Sequence, residues 1–177
     1  MFAIDRGGRV LWLQPGAPTP INQVVSIHIR IHIWGAVWWE GRSDLVRIEG
    51  RMNSSLYTQV LELGIHPYLS QLRRYHLYQD GAPAHWGPLA LAWLANNNVL
   101  YYNNIPGNSP ELNAIESVWG WMVNYITHRH PTTKAQLDNL IDEAWLAIPQ
   151  STIQSYIRHT RTVVHDIIVE RGGRVPH

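Results

Sequence analysis

Two acids, Asp80 and Glu116, stand where a carboxylate can do chemistry. Asp80 closes a short apolar run, His76-Leu77-Tyr78-Gln79, and is followed by Gly81-Ala82-Pro83-Ala84-His85. Taken alone, Asp-Gly reads as a turn. The chain does not go on as a hairpin partner, however. It breaks at Pro83 and enters a helix, and an acid at the C-terminal end of a strand, in a strand-to-helix connection, is where α/β folds place reactive groups. Taken alone, Glu116 reads as a surface glutamate, because charged side chains are mostly exposed. Its neighbours say more: Leu112, Ile115, Trp119, Met122 and Ile126 recur at helical spacing and form one buried stripe, with Glu116 at its edge. Two carboxylates turned into one cleft repel each other, so at least one is expected to hold its proton above the usual carboxylate range.

The elements that must position these acids are legible in the same way. Pro106, Gly107, Asn108, Ser109 and Pro110 keep a helix or inner strand from running through the approach to Glu116. The helix then starts with Ser109 as N-cap, Pro110 at the first helical position and Glu111 at the positive end of the helix dipole. Upstream, Met1 to Leu13 reads as a hairpin around Gly7-Gly8, and Pro15 to Pro20 as a loop. From Val24 to Trp34, Ile27, Ile29, Ile31 and Ile33 alternate with His28, Arg30 and His32, the period of a strand. His28 and His32 share a face without a third ligand, so a solvated sheet face is expected. Glu40-Gly41 turns the chain into Leu45 to Ile48, giving three antiparallel strands in a meander.

Asn53 or Ser54 caps a helix carrying Leu56, Val60 and Leu63, which Gly64 and Pro67 interrupt. A further turn leads through Leu69 and Leu72 to Arg73-Arg74, a solvated helix end or, alternatively, a phosphate contact. Leu77-Tyr78-Gln79 is a short buried strand. Leu89, Leu91, Trp93 and Leu94 make a helix stopped by Asn96-Asn97-Asn98, and Val99 to Tyr102 is the next strand. Thr132-Thr133 caps a helix with Leu137, Leu140, Ile141, Ala144, Trp145 and Ile148. After Pro149 a last helix carries Ile153, Tyr156, Ile157, Val163, Val164, Ile167 and Ile168 and ends at Gly172-Gly173. This order is that of an α/β, ribonuclease-H-like domain: a mixed sheet of three antiparallel then two further strands flanked by helices, with C-terminal helices. Residues 1–128 are expected to form the core and 129–177 a helical extension of the same domain.

Together the two acid-bearing stretches resemble the catalytic domain of mariner-type DNA transposases, members of the DDE superfamily, whose metal site is two aspartates and a glutamate. Gln79-Asp80-Gly81-Ala82-Pro83-Ala84-His85 matches the motif of the second acid. Ser109-Pro110-Glu111-Leu112-Asn113-Ala114-Ile115-Glu116, followed by Trp119, matches that of the third. The 35 residues between the acids are close to the family's usual spacing, and Glu111 stands where the family more often has Asp. Trp34-Gly35-Ala36, Gly41-Arg42 and the approach to Asn53 resemble the family's middle strands. The resemblance implies metal-dependent DNA strand cleavage and strand transfer, as in cut-and-paste transposition. It implies two Mg²⁺ or Mn²⁺ ions in a complete site, with Asp80 bridging both and Glu116 holding one. It also implies DNA, as transposon ends and target, for a partner, leaves room for a homodimer, and suggests the nucleus as location in a eukaryote.

The family's first acid lies in an Asp-Glu pair a few residues before a Phe that leads into a Gly turn. Phe2, with Gly7-Gly8-Arg9-Val10 after it, matches that Phe, which puts the pair upstream of Met1. Asp5 is the nearest acid, but it abuts Arg6-Gly7-Gly8 at the expected hairpin tip. The helix-turn-helix region by which such transposases find their transposon ends is not in the sequence either. The chain therefore reads as a truncated core, inactive as written. The alternative is a non-catalytic relic in which Trp38-Trp39, Trp86 and the C-terminal helices form a surface for DNA or protein. A general nuclease on the same fold is a third option.

Composition bounds these readings. With 177 residues the chain is long enough for one full core, and without cysteine it has no disulfide framework and no thiolate zinc site. No apolar run reaches about 18 residues, and no charged-then-apolar leader opens the chain, so neither a membrane span nor a signal peptide is expected. The net charge is only +1, with Lys134 the sole lysine, a weak balance for a protein that must displace counterions from DNA. Nine tryptophans offer large buried area at low entropic cost.

Overall fold

The computed structural model describes residues 2–5, 10–12, 27–102 and 112–169. The Gly7-Gly8 turn, the Pro15 to Pro20 loop, Ser109 to Glu111 and Gly172-Gly173 lie outside the described residues. Strands β1 (Phe2–Asp5) and β2 (Val10–Trp12) pair antiparallel, as the expected hairpin requires. Strand β3 (Ile27–Ile31) pairs with the other side of β1, so the order is β2-β1-β3. This is not the expected meander: the first strand lies between the next two. The run from Val24 to Trp34 is also not one strand. It breaks at His32, and β4 (Ile33–Trp34) pairs with β7 (Val46–Arg47), while β5 (Val37–Trp38) and β6 (Gly41–Arg42) close a small hairpin between them.

The strands feed two separate apolar cores. Ile31 and Ile33 join Val118, Trp119, Met122 and Ile126 of α4 (Ala114–Thr127), together with the buried faces of α5 (Lys134–Ala147) and α6 (Gln150–Val169). Val46 instead joins Tyr57, Val60 and Leu61 of α1 (Ser54–Gly64) and Ala90, Trp93 and Leu94 of α3 (Pro88–Asn96), with Trp34 packed against them. A 3-10 turn, His66–Tyr68, and a short α2 (Leu69–Leu72) follow α1. No helix among the described residues is long and apolar enough to cross a membrane.

Local chemistry accounts for most of these boundaries. Asn53 Oδ1 accepts the Leu56 N–H at 2.9 Å and starts α1. Thr133 and Gln136 form a capping box on α5, and Arg42 donates to the Trp145 and Ile148 carbonyls at the other end of that helix. Asn98 takes a left-handed φ of 53°, closing the stretch after α3 as the Asn run suggested. The helix bearing Glu116 starts later than expected: Asn113 is extended and caps it, so the first helical residue is Ala114 and not Pro110.

The phase of α1 also differs. Tyr57, Val60, Leu61 and Gly64 are buried, whereas Leu63, expected on the inner stripe, is 62% exposed. The reason lies outside the helix, where the Trp34 ring rests on Gly64. A methyl group there would run into the Trp34 ring, at Cζ3 first. Gly64→Ala should therefore destabilise the domain by about 1–3 kcal/mol through overpacking, read as a lower urea midpoint. An unchanged midpoint would mean that the ring does not lie there.

Candidate active site

Strands β8 (His76–Leu77) and β9 (Leu100–Tyr101) are parallel, and Tyr102 N–H donates to Leu77 O at 3.1 Å. Parallel strands deliver their C-terminal ends to the same edge. Asp80 follows β8, and the chain after β9 leads on to α4 and Glu116. Both acids line one cleft of about 1970 Å³. Among the described residues no group of three His, Cys, Asp or Glu side chains could hold a metal ion.

Tyr78 and Gln79, expected in the strand with Leu77, leave the ladder before Asp80. Asp80 then folds its side chain back on its own loop. Oδ1 accepts the Ala82 N–H at 3.0 Å and lies 2.8 Å from His85 Nδ1. The His85 hydrogen bond holds the Asp80 carboxyl below the usual aspartate range, helped by the imidazolium charge and the Ala82 N–H and opposed by burial. The raised value expected from repulsion between the acids is therefore not the one Asp80 has, because its close neighbour is His85. The sign for stability follows. A lowered folded-state pKa contributes stability that is complete above the unfolded value of about 3.8 and is lost as pH falls through the lower folded value. Urea midpoints measured downward from pH 5 should fall more steeply below pH 4 for the natural chain than for Asp80→Asn. Equal slopes would mean that the His85 contact does not form.

Glu116 sits half-buried in the first turn of α4, where Oε2 accepts the Trp12 indole N–H at 2.8 Å. The Trp12 ring lies against Trp119, with centroids 5.0 Å apart, and Trp119 stacks on Trp145 at 5.4 Å. Four residues that hold the acids were not singled out from the sequence as site residues: Trp12, Tyr57, Gln79 and His85. His85 stood in the motif around Asp80, whereas nothing local marks Trp12, whose partner is 104 positions away.

The cleft also collects cations. Arg30, Arg51, Arg73 and Arg161 line it, and none forms an ion pair with a carboxylate among the described residues. Of the Arg73-Arg74 pair, Arg74 is bound to Glu40, and Arg73 alone faces the cleft. Arg30 and His32 are exposed, as a solvated sheet face requires, while the His28 side chain lies outside the described residues. Asp5 ends β1 opposite Ile27, at a shift of register; its side chain, too, lies outside the described residues. Trp38 is largely buried, and its carbonyl accepts from Gln150 of α6 at 3.0 Å.

A family model described as DDE superfamily endonuclease matches residues 2–138. The chain belongs to this family. Relatives of the DDE domain include the Tc3 transposable element transposase of Caenorhabditis elegans, 30% identical over 151 residues, 82% of this chain and 45% of that protein. The Tcb2 transposase of Caenorhabditis briggsae is 25% identical over 140 residues, 76% of this chain and 51% of that protein. The chain spans about half the length of the curated relatives it matches. Among solved structures, the Mos1 transposase catalytic domain matches with a TM-score of 0.62 at 12% identity, over 82% of this chain and 84% of that one. At that identity the likeness speaks for the fold, which is mixed α/β and ribonuclease-H-like. The domain is of the mariner type that the two motifs suggested.

Proposed function

We propose that the chain is the catalytic core of a cut-and-paste DNA transposase in which Asp80 and Glu116 hold a divalent cation. One observation carries this reading: acids from two distant parts of the sequence line the same cleft as four arginines without carboxylate partners among the described residues. At about 1970 Å³ the cleft exceeds the roughly 300–1,000 Å³ of small-molecule sites, which suits a polymer strand. The arginines would take its phosphates. They also answer the low net charge, since a local cationic field steers DNA even when the whole chain is nearly neutral.

The donor set fits the cation. Asp80 Oδ2 has no donor among the described residues, and carboxylate oxygens are the hard ligands that Mg²⁺ and Mn²⁺ prefer. Two carboxylates, with water and substrate phosphate, suffice for one ion. When bound, such ions stabilise the charge that develops on the entering and leaving oxygens at phosphorus. The similar Mos1 domain was solved with Mg, which supports the same class of ion here. A second ion calls for a further carboxylate, and the Asp-Glu pair that the resemblance puts before Phe2 has no counterpart in the sequence. On this reading Asp80 and Glu116 by themselves hold one ion. A DNA substrate would place the protein in the nucleus of a eukaryote.

The test is a Mn²⁺ titration followed by the electron paramagnetic resonance of free ion. Weak binding is expected that either Asp80→Ala or Glu116→Ala removes. Binding that survives both substitutions overturns the reading.

A further inference from the structure

We propose that His85 and Tyr57 are positioning residues for Asp80, fixing its carboxylate so that Oδ2 alone faces the cleft as a one-oxygen ligand for a divalent cation. The proposal rests on the reading of Asp80 as an ion ligand and adds how that ligand is held. Asp80 is 55% exposed, and a carboxylate so open ordinarily turns freely. Here it cannot. Oδ1 is taken by the Ala82 N–H at 3.0 Å and by His85 Nδ1 at 2.8 Å. The same Nδ1 lies 3.3 Å from the Asp80 carbonyl oxygen. Both oxygens are acceptors, so Nδ1 carries the proton and the imidazole grips side chain and backbone of one residue.

His85 is itself held. It is only 14% exposed, and its ring lies 4.1 Å, centroid to centroid, from that of Tyr57. Tyr57 is 1% exposed in the core under α1, and its hydroxyl donates to Gln79 Oε1 at 2.5 Å. Gln79 is the residue before Asp80, so the contacts close a loop: Asp80 to His85, His85 to Tyr57, Tyr57 to Gln79, and Gln79 to Asp80 through the peptide bond. Turning the carboxylate breaks this loop at His85, and lifting the strand end breaks it at Gln79. Oδ2 is the atom that the loop leaves over among the described residues. Groups that orient a metal ligand in this way are worth about 10–100-fold in metal affinity.

The experiment uses the full chain and Mn²⁺ alone, without DNA, and reads the Mn²⁺ dissociation constant together with the thermal midpoint. His85→Ala should weaken Mn²⁺ binding about 10–100-fold in protein that is still folded at the working temperature. His85→Asn, whose amide N–H can stand near the place of Nδ1–H, should restore most of it. His85→Gln, with its donor one bond further out, should not. Tyr57→Phe keeps the ring and loses the Gln79 bond, and should fall between. In an Asp80→Ala background the His85 changes should have no further effect. If Asp80→Ala leaves Mn²⁺ binding intact, the ion-ligand reading fails. If Asp80→Ala removes binding while His85→Ala, or His85→Asn against His85→Gln should the alanine variant not fold, makes no difference, the positioning proposal is overturned.

Discussion

Trp119→Ala should cost the domain about 3–5 kcal/mol, the range for removing a large aromatic from a core. Trp119 is 4% exposed one turn beyond Glu116, between the rings of Trp12 at 5.0 Å and Trp145 at 5.4 Å. Beneath it the backbone comes so close that a methyl group on Gly35 would stand 3.2 Å from the Trp119 ring. Such a site cannot collapse cheaply, because main chain at Gly35 and the rigid rings of Trp12 and Trp145 stand around it. With domain stabilities of about 5–15 kcal/mol, a loss of this size approaches unfolding at ambient temperature. The measurement is urea denaturation followed by far-ultraviolet circular dichroism. A loss below about 1 kcal/mol would contradict the packing. Glu116 should feel the change as well, since Trp12 lies on Trp119 and holds the carboxylate through its indole N–H.

The second large effect concerns DNA. The chain as it stands should not nick DNA carrying family-type transposon ends, whereas a version extended upstream by a strand bearing Asp-Glu should do so with Mn²⁺. In-line displacement at phosphorus builds charge on two oxygens, and each lost stabilising group of this kind costs about 10²–10³ in rate. If Asp80 and Glu116 hold one ion, as proposed, a second ion and the activation of the attacking water that goes with it would call for a further carboxylate. In the extended version, Asp80→Ala or Glu116→Ala should return the rate to background. Mn²⁺-dependent nicking by the short chain that Asp5→Ala abolishes would make Asp5 the missing first acid and sink the expectation. Asp5 is placed for such a trial, as the last residue of a strand flanked on both sides.

The buried stripe of the helix bearing Glu116 was legible in the sequence, because what it needed there was local. The stripe through Trp119, Met122 and Ile126 is buried as its spacing demanded, and Asn53 and Thr133 cap as their side chains predict. The failures share a cause. Leu63 and Leu89 are exposed although apolar, because the inward faces of their helices were chosen by Trp34 on Gly64 and by the close packing of α1 against α3. The strand order, with β1 between β2 and β3, depends on a connection that no period of two reveals. Asp80 has a lowered pKa because a histidine five positions on is folded back against it, and only the turn at Ala82 brings that about. The net charge gave no hint of where the arginines go: the fold ties Arg47 and Arg74 to carboxylates and leaves four others at the cleft.

The two cores bear on the acids in one more way. Asp80 is braced from Tyr57, which belongs to the core of α1 and α3, and Glu116 from Trp12, which packs on the core of α4, α5 and α6. The cleft that both acids line is thus a seam between two packed halves, which β4 crosses with Ile33 in one core and Trp34 in the other. Substitutions at Tyr57 and at Trp12, which sit in different cores, should therefore come close to adding in stability. A cation gripping both acids would join the halves as a rivet does, stabilising the folded state in proportion to its occupancy. The same ion that serves the chemistry would then fix the shape of the cleft that holds it.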